Sequence, residues 1–177
     1  KPFEILMIKR AKLSKGSFRV VNEEFQMDSL VELNHSLLDV HGFVNSKQVQ
    51  FKAKDATVDL EDFGNISQLD VKGKGTLDVT VSGPLNDTSI NLRGNMKGFE
   101  VLKYRLGQSD IDLSVELGDE SVVISKFESL YRSTPLSGTG VINYGSSDIA
   151  LGINSPQANF HDIKDILYPI FSKLTFL

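Results

Sequence analysis

The chain has 177 residues, a formal net charge of −4 and no cysteine. The lack of cysteine excludes disulfides, thiolate zinc sites and a cysteine nucleophile. Nucleic-acid binding is not expected, because the charge is small and the densest basic stretch, residues 9–15, lacks interleaved aromatics. No apolar run approaches the ~20 residues that span a bilayer.

Both ends of the sequence favour a fragment of a longer protein. The sequence starts at Lys1 without a methionine and stops at Leu177 inside an apolar run. Neither end carries a targeting motif, so we expect any leader or membrane anchor to lie outside this sequence. Residues 1–177 are thus interpreted as a single fragment of a longer repeat protein.

Strand patterns dominate the N-terminal part of the chain. Residues 3–8 and 17–21 are predicted as strands, and Lys15-Gly16 is predicted as a tight turn into the second one. Residues 1–30 match the later pattern poorly and are expected to form atypical N-terminal strands. Residues 31–158 are predicted to form one antiparallel sheet.

Alternation is clear over residues 48–60 but changes face near Asp55. Apolar residues stand at odd positions from 49 to 53 and at even positions from 56 to 60. One extra residue produces such a shift, because the side-chain period of a strand is two. The sequence therefore predicts a β-bulge at Lys54-Asp55.

The clearest pattern lies in residues 71–96. Apolar or small residues alternate with polar ones from Gly75 to Gly83, which predicts a strand with one apolar and one polar face. The turn signal Gly-Pro-Leu-Asn-Asp begins at Gly83, and the alternation resumes at Ile90. This stretch therefore predicts a hairpin.

Strands continue beyond residue 110, and one helix follows them. The strands are predicted at residues 110–117, 122–124, 136–144 and 148–153. Apolar residues spaced three to four apart then predict a helix over residues 159–174, with Asn159 as its cap and Pro169 near its end. We expect this helix to cap or flank the sheet. Because strands do not alternate with helices, an α/β enzyme fold is disfavoured.

Two parts of the chain, about a hundred residues apart, resemble each other. Residues 38–45, LDVHGFVN, match residues 136–143, LSGTGVIN. The segments that follow also match in order: 49–53 with 149–153, and 56–63 with 158–165. A long repeat of one-sided strands predicts an elongated, stacked sheet.

Two motifs carry a resemblance to a known family. Residues 79–87, VTVSGPLND, form a strand followed by a Ser-Gly-Pro-Leu turn, and residues 136–142, LSGTGVI, form a later strand. Residues 98–106 and 109–113 lie between them in the same order. Over residues 48–167 the chain resembles the AsmA-like superfamily of diderm bacteria, especially its TamB-type members.

The resemblance implies a mostly β fold: a long bent antiparallel sheet, or β-taco, with an open apolar groove and one short C-terminal helix. It implies a periplasmic protein, anchored to the inner membrane by a segment not present here, that carries phospholipid or another acyl lipid toward the outer membrane. Outer-membrane assembly proteins are further implied partners. The alternative function is a structural module that assists outer-membrane protein biogenesis by strand-edge pairing.

Apolar residues of the alternating strands are the expected lining of this groove. A one-sided sheet must cover its apolar face, and one short helix is too small to do so. Acyl chains would be held reversibly, at about 0.8 kcal/mol per buried methylene. The alternative is that the same residues form a dry sandwich core. The predicted lining is Leu77, Val79, Val81, Ile90, Leu92, Ile111, Leu113, Val115, Val141, Ile149 and Leu151.

Catalytic and metal sites are not predicted, and neither is a cofactor. His35, His41 and His161 lie far apart and lack a metal-ligand spacing such as HExxH. The acidic residues between 55 and 62 lack the EF-hand spacing, and Asp59 is expected on the solvent face of a strand together with Glu61. No GxSxG elbow or SxxK pair is present, so we expect no enzyme.

The glycines at Gly73 and Gly75 are interpreted as strand glycines. Gly73-Lys74-Gly75 begins like a dinucleotide-binding fingerprint, but Asp78 stands where the third glycine is required. Glycine within a strand more often permits a bend. We therefore expect the strand to bend here.

Overall fold

Ten antiparallel strands form one open sheet in chain order in the computed structural model, which describes residues 12–63, 71–101, 104–146, 148–162 and 164. The strands are β1 (Lys12–Val21), β2 (Glu24–Glu32), β3 (Leu37–Val44), β4 (Gln48–Asp59), β5 (Val71–Pro84), β6 (Ser89–Val101), β7 (Tyr104–Glu116), β8 (Ser121–Tyr131), β9 (Thr134–Asn143) and β10 (Asp148–Asn154). A 3-10 turn, Leu60–Phe63, follows β4, and a short helix begins at Phe160 after β10. The predicted fold class is confirmed.

One face of the sheet is apolar because residues two apart in a strand point to the same side. Strand pairing keeps the apolar residues of neighbouring strands on the same side, since Val79 lies opposite Leu92 and Leu92 lies opposite Leu113. We call the side that carries these three residues the inner face. The opposite side, the outer face, carries their polar neighbours such as Asp78 and Arg93.

The sheet is curved, and bulges account for the curvature. The predicted bulge at Lys54-Asp55 is confirmed by a register shift between β4 and β5 and by a φ of 50° at Asp55. A second shift lies at Gly73, where φ is +145°, so the expected bend of β5 is also present. An extra residue bends a strand and increases its twist. The sheet therefore wraps around its inner face.

Burial of the inner face falls along β5, β6 and β7 toward one end of the sheet. We call the end with the β5–β6 turn, residues 85–88, the open end, and the opposite end the packed end. Leu77, Met96 and Ile111 lie toward the packed end and are at most 1% exposed. Ile90 lies toward the open end and is half-buried. On these three strands the side chains therefore pack mainly at the packed end, whereas Val122 on β8 and Ile142 on β9 are buried at the open end as well.

The N-terminal strands belong to the same sheet as the others. β2 crosses the boundary expected at residue 30, and the residues predicted as a first strand, 3–8, lie outside the described residues. The predicted turn at Lys15-Gly16 is wrong, because it lies inside β1 and the chain turns at Asn22-Glu23. Asn22 and Glu23 have φ values of 48° and 63°, as a tight two-residue hairpin requires.

Gly16 lies inside β1, where the neighbouring strand leaves no room for a side chain. A Cβ at this position would lie 2.3 Å from the carbonyl oxygen of Asp28 on the neighbouring strand. The glycine therefore marks a close approach of two backbones and not a turn.

The internal repeat predicted from the sequence appears in the side-chain hydrogen bonds of two turns. Asn45 Oδ1 accepts bonds from the N–H groups of Lys47 and Gln48, at 2.9 and 3.0 Å, in the β3–β4 turn. Asn143, about a hundred residues later, accepts a 2.8 Å bond from the N–H of Ser146 in the β9–β10 turn. The two hairpins are therefore closed in the same way.

The burial difference between inner-face positions gives a stability prediction. Ile111 is 1% exposed and lies opposite Gly94 and Phe127, whereas Ile149 on the edge strand is 51% exposed. We expect Ile111→Ala to lower the free energy of unfolding by about 2–5 kcal/mol, because it leaves a cavity. The matched change Ile149→Ala should cost less than about 1 kcal/mol. Urea titration measures both, and equal losses would contradict a packed core at Ile111.

Candidate functional site

Ten of the eleven predicted lining residues lie on the inner face. The pairings of β5, β6 and β7 bring the central ones into register across three strands, and the pairings through β8 and β9 place Ile149 and Leu151 on the same side. The ten are Leu77, Val79, Val81, Ile90, Leu92, Ile111, Leu113, Val115, Ile149 and Leu151. Alternation therefore predicted a continuous apolar surface correctly.

Val141 is the exception, and its predicted position is wrong. It lies opposite Val123 and Ala150 on the outer face, where it is 42% exposed. The inner-face residue is its neighbour Ile142, which is 3% exposed. Val141 and Ile142 are adjacent apolar residues, and the preceding inner positions, 138 and 140, are glycines. The sequence pattern therefore does not show which of the two side chains faces inward.

The ten inner-face residues fall into three classes by exposure. Leu77 and Ile111 are at most 1% exposed, so a ligand cannot reach them. Ile149 and Leu151 on β10 are 51% and 38% exposed. The remaining residues are half-buried: Val79, Val81, Ile90, Leu92, Leu113 and Val115. The surface that a ligand can reach is therefore the open end of the central strands together with β10.

The inner face also extends over β1, β2 and β4, which lie outside the predicted lining. Phe18 on β1 and Phe25 on β2 stack with their ring centroids 5.7 Å apart and are 45% and 37% exposed. Phe51 on β4 lies opposite Val81 and is half-buried. Phe51 belongs to the alternating residues 49–53, so the sequence pattern could have placed it on this face. The stacking of Phe18 on Phe25 could not be predicted in this way, because it depends on how β1 pairs with β2.

The outer face is polar and carries exposed ion pairs. Arg93 Nε lies 3.8 Å from Asp112 Oδ2, and Lys126 Nζ lies 3.5 Å from Asp110 Oδ2 and 3.1 Å from Glu128 Oε2. Exposed pairs of this kind contribute at most about 1 kcal/mol each to stability. Charged groups are interspersed among the apolar residues of the outer face, so the continuous apolar surface of the described strands is the inner face.

A polar cluster closes the packed end of β4. Asp59 was expected on a solvent face with Glu61, but this expectation is wrong, because Asp59 is 1% exposed and Glu61 lies in the 3-10 turn. Lys74 Nζ lies 2.8 Å from Asp59 Oδ2, an ion pair whose angles do not satisfy a directional hydrogen bond. β4 ends at Asp59 and the 3-10 turn begins at Leu60, so strand alternation cannot predict which of these side chains is exposed.

Two aspartates bind the turns of neighbouring hairpins, and we call them the carboxylate latches. Asp62 Oδ2 accepts bonds from Ser36 Oγ at 2.7 Å and from the N–H of His35 at 2.9 Å, in the β2–β3 turn. Asp162 Oδ2 accepts bonds from Thr134 Oγ1 at 2.9 Å and from Ser133 Oγ at 3.0 Å, beside the β8–β9 turn. Each latch fixes a short helical segment against the sheet.

The same contacts set the pKa of each latch. Burial alone would raise the pKa of Asp62, but the hydrogen bonds from Ser36 and His35 outweigh it and lower the pKa below its ordinary value. Burial also acts to raise the pKa of Asp162, but the hydrogen bonds from Thr134 and Ser133 outweigh it and lower the pKa below its ordinary value. Both carboxylates are therefore held in the charged form.

The helix that contains Asp162 begins where the sequence predicted. Asn159 Oδ1 accepts a 2.9 Å bond from the N–H of His161, which confirms Asn159 as the cap. Helix is described over residues 160–162 and at 164, and the rest of the predicted range lies outside the described residues.

One group of side chains on the outer face has atoms close enough to hold a metal ion. Within the described residues only Asp28, Asp39 and His41 bring three such atoms within 4.8 Å of one another. His41 Nδ1 lies 3.1 Å from Asp28 and Nε2 lies 3.4 Å from Asp39. Because each ring nitrogen faces a carboxylate and all three residues are exposed, the geometry fits two His–Asp contacts better than a metal centre.

Comparisons of this chain with protein-family models, with curated proteins and with solved structures found no match. Within the described residues, no helix is long and apolar enough to cross a membrane. The class that the geometry defines is an open, curved antiparallel sheet with one apolar face.

The carboxylate latches give a pH prediction. A carboxylate whose pKa is lower in the folded than in the unfolded state stabilises the fold above the unfolded value, near 3.8, and loses this effect as the pH falls through the folded pKa. We expect the free energy of unfolding to fall as the pH decreases below about 4. In Asp62→Asn and Asp162→Asn this fall should be smaller.

Urea titrations between neutral pH and pH 2.5 measure this dependence. Asp119→Asn, in the exposed β7–β8 turn, is the matched control and should keep the wild-type slope. Parallel pH curves for the wild type and both latch variants would contradict the assigned role.

Proposed function

We propose that this chain is a periplasmic segment of an inner-membrane-anchored, AsmA-like protein and that it carries phospholipid toward the outer membrane along its inner face. The observation that supports this most is the inner face itself. It is apolar across a single open sheet, and the described residues form no second sheet over it. The resemblance in residues 79–87 and 136–142 supports a periplasmic location and a phospholipid cargo.

Exposure along the strands favours acyl chains as the ligand. Ile90, Leu92, Leu113 and Val115 are neither fully buried nor fully exposed, so added apolar groups would remove further surface from water. Each buried methylene contributes about 0.8 kcal/mol, and no directed hydrogen bond has to break when a chain slides. A lipid is therefore held without being fixed at one position.

A single charge at the open end tests this function. We expect Ile90→Asp to reduce phospholipid binding at least tenfold, because a carboxylate placed on the apolar surface is costly to desolvate. Asn91→Asp adds the same charge to the exposed outer face one residue away and should leave binding unchanged. Native mass spectrometry of the purified chain after exposure to phospholipid vesicles measures bound lipid.

A third variant separates an open groove from a dry core. Ile111→Asp should unfold the chain, because it buries an unpaired carboxylate at a fully covered position. Ile90→Asp should keep the wild-type circular dichroism spectrum. Unfolding of both variants, or a wild-type chain that retains no phospholipid and does not crosslink to a photoactivatable acyl chain, would refute the proposal.

The alternative function is a structural module that assists outer-membrane protein biogenesis by strand-edge pairing. It needs an accessible sheet edge, and in the described sheet β1 and β10 each pair on one side only. A chain that binds no phospholipid but captures unfolded outer-membrane strands would favour this alternative.

A further inference from the structure

The polar contacts around the short helical segment after β4 occur a second time after β10. The N–H of Asp59 donates a 2.9 Å bond to Ser36 Oγ, the residue before β3. The N–H of Asn159 donates a 3.1 Å bond to Thr134 Oγ1, at the start of β9. The predicted match of residues 56–63 with 158–165 is therefore two residues out of step, because the contacts make Asp59 equivalent to Asn159, one hundred residues later. In both places the same backbone group meets a hydroxyl at the start of the neighbouring hairpin strand.

Two further contacts repeat with the same spacing. Asp59 Oδ1 accepts a bond from the N–H of Glu61, two residues on, and Asn159 Oδ1 accepts one from His161, also two residues on. The carboxylate latches, Asp62 on Ser36 and Asp162 on Thr134, complete the set. Three equivalent contacts, in the same order, establish that β10 occupies in the second repeat the position of β4 in the first.

The equivalence of β4 and β10 shows one difference between them, which is a partner strand on the far edge. The far edge of β4 is covered by β5, with Val49 opposite Gly83, Phe51 opposite Val81 and Ala53 opposite Val79. The far edge of β10 has no partner strand among the described residues. Its inner-face residues Ile149, Leu151 and Ile153 are 51%, 38% and 48% exposed, whereas Ala53 on β4 is 4% exposed.

The two outer strands of the sheet differ in how their edges are protected. β1 carries Lys12, Lys15 and Arg19 and has a register shift between Leu13 and Lys15, and charges and bulges are both known to prevent further pairing. β10 has one charged residue, Asp148, at its first position, and it pairs with β9 without any register shift. Within the part of the chain that the structure describes, the edge of β10 is therefore regular and carries neither of these protections.

We propose that the free edge of β10 is a docking site for one more antiparallel strand, with the alternating apolar pattern of β5. The repeat fixes the register: the residue equivalent to Val81 lies opposite Leu151, and the residue equivalent to Val79 lies opposite Ile153. Main-chain hydrogen bonds hold the strand, and its apolar side chains extend the inner face. This site goes beyond the lipid groove and does not rest on it.

A peptide with the sequence of Val71–Pro84 is the probe, because β5 is the strand that the equivalent edge binds. Fluorescence anisotropy of the labelled peptide with the whole chain measures binding in the absence of lipid. Leu151→Lys places a charge on the inner face of the free edge and should weaken binding at least tenfold. The matched control, Val20→Lys on the inner face of β1, should leave it unchanged.

Crosslinking tests the register independently of the stability of Leu151→Lys. The natural chain has no cysteine, so Leu151→Cys introduces a single thiol. A peptide with Val81→Cys, supplied as its mixed disulfide with glutathione, should exchange with this thiol about ten times faster than the matching Thr80→Cys peptide and release glutathione, because residue 80 points to the opposite face.

Three results of the peptide experiments would overturn the proposal, and a fourth result, from the oligomeric state, would do the same. The three are an absence of peptide binding, equal crosslinking by the two cysteine peptides, and equal effects of Leu151→Lys and Val20→Lys. A concentration-dependent dimer that Leu151→Lys abolishes would replace the proposed strand by a second copy of the chain and would also overturn it.

Discussion

The period-two direction of side chains along a strand is the constraint on which the rest of this structure depends. It places apolar residues on one face of ten consecutive strands, and antiparallel pairing keeps that face continuous from β1 to β10. Such a face has to be covered, and bulges at Asp55 and Gly73 contribute to the curvature that lets the sheet cover part of it with its own side chains. The curvature and the one-sided placement of apolar residues together form a groove along the inner face, which we call the trough and which has a packed end and an open end.

The packed end also holds three carboxylates whose side chains are at most 5% exposed. Asp62 and Asp162 bind hairpin turns through hydroxyl and backbone donors, and Asp59 is buried beside Lys74. Charged groups can be buried there because donors surround them. On β5–β7 at the open end the side chains around Ile90 remain half-buried, so the two ends differ in chemistry as well as in packing.

Local rules predicted most of the sheet and little of its polar interior. Alternation identified the inner face of β5, β6 and β7 and the bulge at Asp55, because both are properties of one segment. It misassigned Val141, since a neighbouring apolar residue and nearby glycines hide the parity there. It also missed the burial of Asp59 and the contact between Asp62 and Ser36, because these depend on residues more than twenty positions apart. Long-range pairing has no signature in a short window of sequence.

The inner face and the edge of β10 are physically connected. A strand added beside β10 would place its apolar residues next to Leu151 and Ile153, so it would lengthen the trough while it removed their exposed surface from water. On the opposite side, the charges and the bulge of β1 disfavour the same extension. The proposed extension is therefore directional among the described strands, and it would widen the apolar surface by one strand. A groove built in this way acquires length from repetition and needs no new kind of contact.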